Sequence, residues 1–387
     1  MKVREGQWDR GYLLILLLLA CCSIVSIYAA QETAQYVENF AAKQAFWYVF
    51  GIAISILLLL LDFQQIRRLS LYFYLFGNAV LLMLVLLPDV SFAPIRNGAQ
   101  SWLIVPGFGS IQPSEFMKLI LIVFLSVVAS RHLEKYQESS LKESWLLVGK
   151  LLLTSGIPIL LVLMQPDLGT ALVMIGITFV MMLVAGVHWK IISGMLAMGV
   201  LFVGSFVFTY FQFPAFFHAH LLKEYQLGRI YAWLDPYGYR NGEGYNLVSS
   251  LIAVGSGEFS GKGLQQGDVY IAEAHSDFIF PIFAEQFGFI GSSVLITLFF
   301  LLIYKITSTA LKVIEPFESF LCAGVIALFS IHIFENIGMT IGVVPITGIP
   351  LPFISYGGSA LITNLLAAAL IYNIRLRMGD YIFKPDH

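Results

Sequence analysis

Residues 11–30 read GYLLILLLLACCSIVSIYAA. A stretch of that length without a charge makes a helix of about 30 Å, which matches the hydrocarbon core of a bilayer. It follows Lys2, Arg4 and Arg10 and ends in small residues, as a secretory signal does. With similar apolar runs behind it, an uncleaved first helix is expected. Those runs lie near residues 46–62, 70–88, 114–130, 146–164, 169–187, 191–211, 276–304, 317–336 and 357–374. The fold class expected is therefore all-α: a polytopic membrane helix bundle of about ten transmembrane helices, forming one integral membrane domain over residues 1–387.

Composition agrees. Hydrophobic residues make up 58% and charged residues 12%, against about 45–50% and about 25% in soluble domains, and the mean hydropathy is +0.81. The net charge of −2 says little about partners, and no nucleic-acid partner is expected. Cys21, Cys22 and Cys322 fall inside apolar runs without metal or redox spacing and read as small core residues. Of the Lys and Arg residues, all but Lys43, Arg96, Lys118, Lys223, Arg229, Arg240 and Lys262 fall on one side of the membrane. The positive-inside rule then puts both termini in the cytoplasm and a large loop between spans 7 and 8 outside it.

Two further segments expected outside, residues 89–113 and 337–356, mix Pro, Gly and apolar residues, as in FAPIRNGAQSWLIVPGFGSIQPSE and GMTIGVVPITGIPLPFISYGGSA, and are too apolar for free loops and too broken for helices. They are expected to be partly re-entrant, packed where protein satisfies their backbone.

Apart from Lys150, just inside an expected inner boundary, the ionisable residues at helix depth collect at that same face, where charge by default marks a site or a pathway. Glu115 and Lys118 stand three apart and can pair on a helix, with Ser114 as an N-cap candidate. Asp167 could cap the next helix. Asp277, in EAHSDFIF (residues 273–280), could cap its helix with Ser276, or could serve as a general base if desolvation raises its pKa. His275 reads as an interface residue. Glu285 lies about 12 Å further along by helix rise and could be a structural contact or part of a cavity wall. In the long loop, Arg229, Arg240 and Lys262 among glycines suit phosphate oxygens, and Tyr231, Trp233, Tyr237 and Tyr245 could stack on sugar or lie at the headgroup belt. These features fit an enzyme acting on a lipid-anchored anionic substrate, and they also fit a transporter.

In NGAQSWLIVPGFGSIQPSE (97–115), QPDLGTA (165–171), GSGEFSGKG (255–263), EAHSDFIF with AEQFGFIG (273–291) and GIPLPFISYGGSA (348–360), the chain resembles the SEDS family of shape, elongation, division and sporulation proteins. It looks most like the RodA branch, because Ile349 and Pro350 precede Leu351. The resemblance covers about residues 11–378. It implies a peptidoglycan glycosyltransferase that polymerises lipid II, the undecaprenyl-pyrophosphate-linked disaccharide-pentapeptide, at the outer face of the cytoplasmic membrane for elongation and rod shape. It also implies a class B penicillin-binding protein as partner.

Carried over by position, Asp277 matches the essential acid of the family, Glu115 and Lys118 its paired residues, and Asp167 the acid of its Gln-Pro-Asp motif. Asp277 is the expected catalytic base, and Glu115, Lys118, Asp167 and Glu285 are expected to shape the cavity. Candidate substrate contacts are Arg229, Arg240, Lys262, Arg96, Trp102, Gln112, Ser355 and Ser359. No cofactor is required by the sequence; a divalent cation, Mg or Mn, could serve, with Asp277 as its ligand. Ser249 and Glu258 depart from the family pattern in the long loop. A lipid II flippase, a division or sporulation paralogue and a membrane scaffold are the competing readings.

Overall fold

The computed structural model describes residues 9–31, 38–95, 99–107, 109–136, 140–213 and 224–381. Among them lie twelve helices: α1 Arg10–Ala30, α2 Phe40–Leu59, α3 Phe63–Leu86, α4 Pro113–Lys135, α5 Leu141–Met164, α6 Leu168–Val184, α7 Trp189–Gln212, α8 Glu224–Leu234, α9 Tyr245–Ser256, α10 Ile279–Ala310, α11 Pro316–Thr340 and α12 Gly358–Tyr381. Nine of these are long and apolar enough to cross a membrane, and α6, at 17 residues, is a shorter apolar helix. Together these ten correspond one for one to the expected spans. The remaining two, α8 and α9, are short helices within the long loop.

Two starts differ most from expectation. Helix α2 begins at Phe40, capped by Asn39, because Lys43 and Gln44 lower the hydropathy of a turn that is helical nonetheless. Helix α3 begins at Phe63 behind an Asp62–Gln65 capping box, which local hydrogen bonding sets and hydropathy does not reveal.

Helices α4, α11 and α12 are the most buried and form the centre of the bundle. Around them α2 packs on α12, α3 and α5 on α4, α6 on α11, and α1 on α10. Helix α7 stands apart, with only Ile191 and Ile192 buried. Ion pairs tie the loop-poor end together: Asp9 with Lys305 (3.3 Å) and Arg375, and Asp62 with Arg377 (2.6 Å).

The opposite end carries the loops. A small antiparallel hairpin joins β1 Leu103–Val105 to β2 Gly109–Ile111, with Leu103 opposite Ile111. Residues 341–357 are irregular, yet Ile349, Leu351, Phe353 and Ile354 are buried. Their carbonyls are taken by side chains from the surrounding helices. Asn336 donates to Ile349 O (2.7 Å), Tyr48 to Phe353 O (2.6 Å), Ser23 to Ile354 O (2.9 Å) and Gln44 to Ser355 O (3.1 Å). Protein thus does for this backbone what lipid cannot.

Helix α10 breaks at Gly288 (φ 61, ψ −159). The break is bridged by residues 257–263, which cross it backbone to backbone. Lys262 N donates to Glu285 O (3.0 Å) and Gly263 N to Gln286 O (3.1 Å), while Phe289 N donates to Glu258 O (3.0 Å) and Ile290 N to Phe259 O (3.2 Å). A Cβ on Gly257 would lie 2.1 Å from Ala284 O, and one on Gly261 2.2 Å from Gln286 O. Gly257 and Gly261 of GSGEFSGKG therefore serve close approach of two backbones.

Candidate active site

A cavity of about 1930 Å³ opens at the loop-rich end, walled by α2, the hairpin, the starts of α4 and α6, α8, the segment before α10, the C-terminal half of α11 and residues 344–350. Asp277, Glu115, Lys118, Asp167, Arg229, Trp102, Gln112 and Ser359 all line it. The fold thus brings together residues that lie up to 257 positions apart in sequence.

Asp277 sits in the loop ahead of α10. The N-cap of that helix is Phe278, with no side-chain cap bond, so Asp277 does not cap it. Its backbone carbonyl accepts from Asn336 Nδ2 (2.8 Å). Among the described residues, no hydrogen bond or ion pair reaches its carboxylate, which is half-buried because it faces the cavity. Burial lifts its pKa from 3.8 to about 7, the nearby Glu273 adds to the rise, and the Arg229 guanidinium opposes it. A carboxyl so placed can hold or release a proton near neutrality.

Glu115 and Lys118 form a buried ion pair of 2.7 Å on α4. The N-cap there is Gln112, with Pro113 at N1, two residues earlier than the Ser114 cap expected. Lys118 Nζ also lies 3.1 Å from His332 Nε2. Asp167 caps α6 through Thr170 N (3.0 Å), and its second oxygen accepts from Gln112 Nε2 (3.0 Å). Its capping and cavity roles coincide. Ser359 Oγ accepts from Gln112 N (2.9 Å), so Gln112 bridges α4, α6 and α12. Arg229 reaches the wall of the cavity with Nη1 3.5 Å from Ile346 O.

Other candidates stand elsewhere. Glu285 is buried and takes Lys262 Nζ at 2.6 Å and the amides of Asp268 and Val269 at 3.0 and 3.3 Å. This cluster fastens the loop crossing and does not line the cavity. Arg240 is exposed on the loop, away from the lining. Ser355 is buried, donating to Ser276 O (2.7 Å) and accepting from Leu351 N (2.8 Å), a brace for the segment bearing Asp277. Arg96 lies outside the described residues. His275, by contrast, lines the cavity and stacks on Phe40 with ring centroids 4.4 Å apart. Trp233 Nε1 donates to Gly342 O (2.9 Å), pinning α8 to the irregular segment.

Sequence reasoning missed Lys43 on α2, Glu273, and Glu335 on α11, all of which line the cavity, together with His332 and Asn336. A signal was present: SIHIFENIG (residues 330–338) places three polar side chains at helical spacing inside an apolar run.

Among the described residues, no group of three or more His, Cys, Asp or Glu is arranged to hold a metal ion. A resident divalent ion is not fitted by the lone Asp277 carboxylate.

Residues 9–378 match the family model FTSW_RODA_SPOVE, described as Cell cycle protein. The chain is 33% identical over 383 residues to stage V sporulation protein E of Bacillus subtilis (strain 168), covering 97% of this chain and 98% of that protein. It is 31% identical over 380 residues to a protein named probable peptidoglycan glycosyltransferase FtsW of Geobacter metallireducens, covering 96% of each. A solved chain from work described as "Structural coordination of polymerization and crosslinking by a peptidoglycan synthase complex" superposes with a TM-score of 0.77 at 25% identity, covering 97% of this chain and 99% of that one. The rod shape determining protein RodA of Thermus thermophilus superposes with a TM-score of 0.67 at 22% identity over 97% of this chain and 98% of that one, a likeness of fold. The family model and the relatives named for sporulation and for FtsW place the family without separating its branches.

Proposed function

The chain belongs to the FtsW/RodA/SpoVE family, and from that premise we propose that it is a peptidoglycan glycosyltransferase that polymerises lipid II. The observation that carries the reading is the Asp277 carboxylate. It faces a cavity large enough for a sugar-lipid headgroup, has no bonded cation among the described residues, and titrates near neutrality.

In this reading the 4-hydroxyl oxygen of the acceptor sugar attacks the anomeric carbon of the donor. Its proton passes to an Asp277 carboxylate oxygen, and the bond from the anomeric carbon to the lipid pyrophosphate breaks. Arg229, on the facing wall, stabilises charge on the departing pyrophosphate. Glu115 with Lys118, and Asp167 with Gln112, hold the α4 and α6 ends of the cavity in place. Pyrophosphate leaves without protonation by a second carboxylic acid, so one base suffices, unlike the paired carboxylates of glycoside hydrolysis. No step runs through a resident metal.

The charge asymmetry supports cytoplasmic termini and a site on the outer face of the cytoplasmic membrane, and the packing of the helices on one another supports a single membrane unit over residues 1–387. A class B penicillin-binding protein fits as the partner that cross-links the product, and Ile349–Pro350 favours a role in elongation. The test is glycan-chain formation from purified lipid II by wild type and by Asp277→Ala, with and without that partner and with divalent cation added or chelated. Polymer from wild type and none from the well-folded variant supports the enzyme. If wild type with its partner makes no polymer, the flippase or scaffold reading takes its place. Complementation of elongation, division or sporulation mutants separates the branches.

A further inference from the structure

His332 takes no part in the proton transfer, yet it stands where the supports of Asp277 meet. It lies on α11 and is 1% exposed. Lys118 Nζ is 2.7 Å from Glu115 Oε1 and 3.1 Å from His332 Nε2, and His332 Nδ1 is 3.3 Å from Pro350 O. An ammonium only donates, so Nε2 must present its lone pair; a carbonyl only accepts, so Nδ1 must carry the proton. A protonated ring would aim N–H at N–H across 3.1 Å, which the charge of Lys118 opposes. The neutral Nδ1–H tautomer alone satisfies both contacts.

One turn further along α11, Asn336 Nδ2 donates to Ile349 O (2.7 Å) and to Asp277 O (2.8 Å). The same face of α11 therefore grips residues 349 and 350 and the backbone of Asp277, while Gly348 of that segment borders the Asp277 carboxylate. We propose that His332 is a positioning residue: as the Nδ1–H tautomer it locks the buried Lys118 to the 348–350 segment and so fixes where the Asp277 carboxylate points. The activity arm of its test rests on the polymerase reading; the tautomer does not.

His332→Leu fills much of the same space and removes both bonds. His332→Gln keeps an oxygen to accept from Lys118 and an amide N–H to donate to Pro350 O. With wild type polymerising lipid II, His332→Leu should lower kcat by about 10- to 100-fold at unchanged KM, and His332→Gln should recover most of it. In histidine-labelled wild type, nitrogen NMR should show a pyrrole-type Nδ1 and a pyridine-type Nε2 for His332. A Leu variant at wild-type kcat, a Gln variant as poor as Leu, or a ring protonated at Nε2 would overturn the proposal. If the Leu variant does not fold, the Gln variant and the nitrogen spectrum decide. Absence of polymer from wild type overturns the polymerase reading instead, and the spectrum still decides the tautomer.

Discussion

A Cβ built on Gly348 would sit 3.4 Å from Asp277 Oδ2, in van der Waals contact with the carboxylate. The backbone there has φ +75, a conformation that side chains resist. Gly348→Ala should therefore cost about 1–2 kcal/mol of stability and crowd the face that the acceptor hydroxyl must approach. Gly348→Val should abolish polymerisation while membrane levels persist. Thermal unfolding in detergent and polymer yield check the two effects separately.

The crossing of residues 257–263 over the α10 break makes a sharper stability prediction. The oxygens that a new Cβ would meet at Gly257 and Gly261 belong to backbone and cannot rotate away. Alanine at either position should destabilise by about 3 kcal/mol. Alanine at Gly255, on α9 with nothing within 4 Å, should be neutral or stabilise by up to about 1 kcal/mol. Thermal shifts of the three variants would contradict the account if Gly255→Ala proved the most damaging.

Lys262 supports this crossing through Glu285, whose side chain is 1% exposed. Lys262→Met leaves that carboxylate buried with only amide donors, and should cost about 3 kcal/mol. The pair does not line the cavity, so the fraction that folds should keep its kcat. A variant of normal stability with lost turnover would return Lys262 to the role of substrate contact.

The pH dependence follows from Asp277. Its folded pKa of about 7 lies above its ordinary 3.8, and a general base works in the charged form, so turnover should climb as pH rises through about 7. Arg229→Gln removes the cation that opposes the rise and should move this limb to higher pH. Stability runs the other way. Between the two values the folded carboxyl holds a proton that the unfolded one has lost, so this group's contribution falls as pH rises from about 4 to about 7. Asp277→Asn should abolish that loss, gaining stability relative to wild type at about pH 8 more than at about pH 5. Rate–pH profiles and melting temperatures at both pH values check it.

The spans were legible because apolar runs long enough to cross a bilayer need no partner to be recognised. The break in α10 was not: AEQFGFIG reads as unbroken helix, and the turn at Gly288 is fixed by a loop 25 to 31 residues upstream. Asp277, Glu115, Lys118 and Asp167 were legible as costly charges at one face. Lys262 was read as an anion contact because its partner, Glu285, is visible only in three dimensions. His332 and Glu335 were passed over because polar residues within an apolar helix are commonly core contacts, and only the fold shows what they face.

The most direct measurement is turnover and binding of lipid II by the same preparation of Asp277→Asn, in complex with its partner and at saturating substrate. The carboxamide keeps the size of the side chain and removes the base. The account predicts binding close to wild type with polymer formation lost. Polymer at the wild-type rate, from protein shown to carry asparagine at position 277, would contradict it.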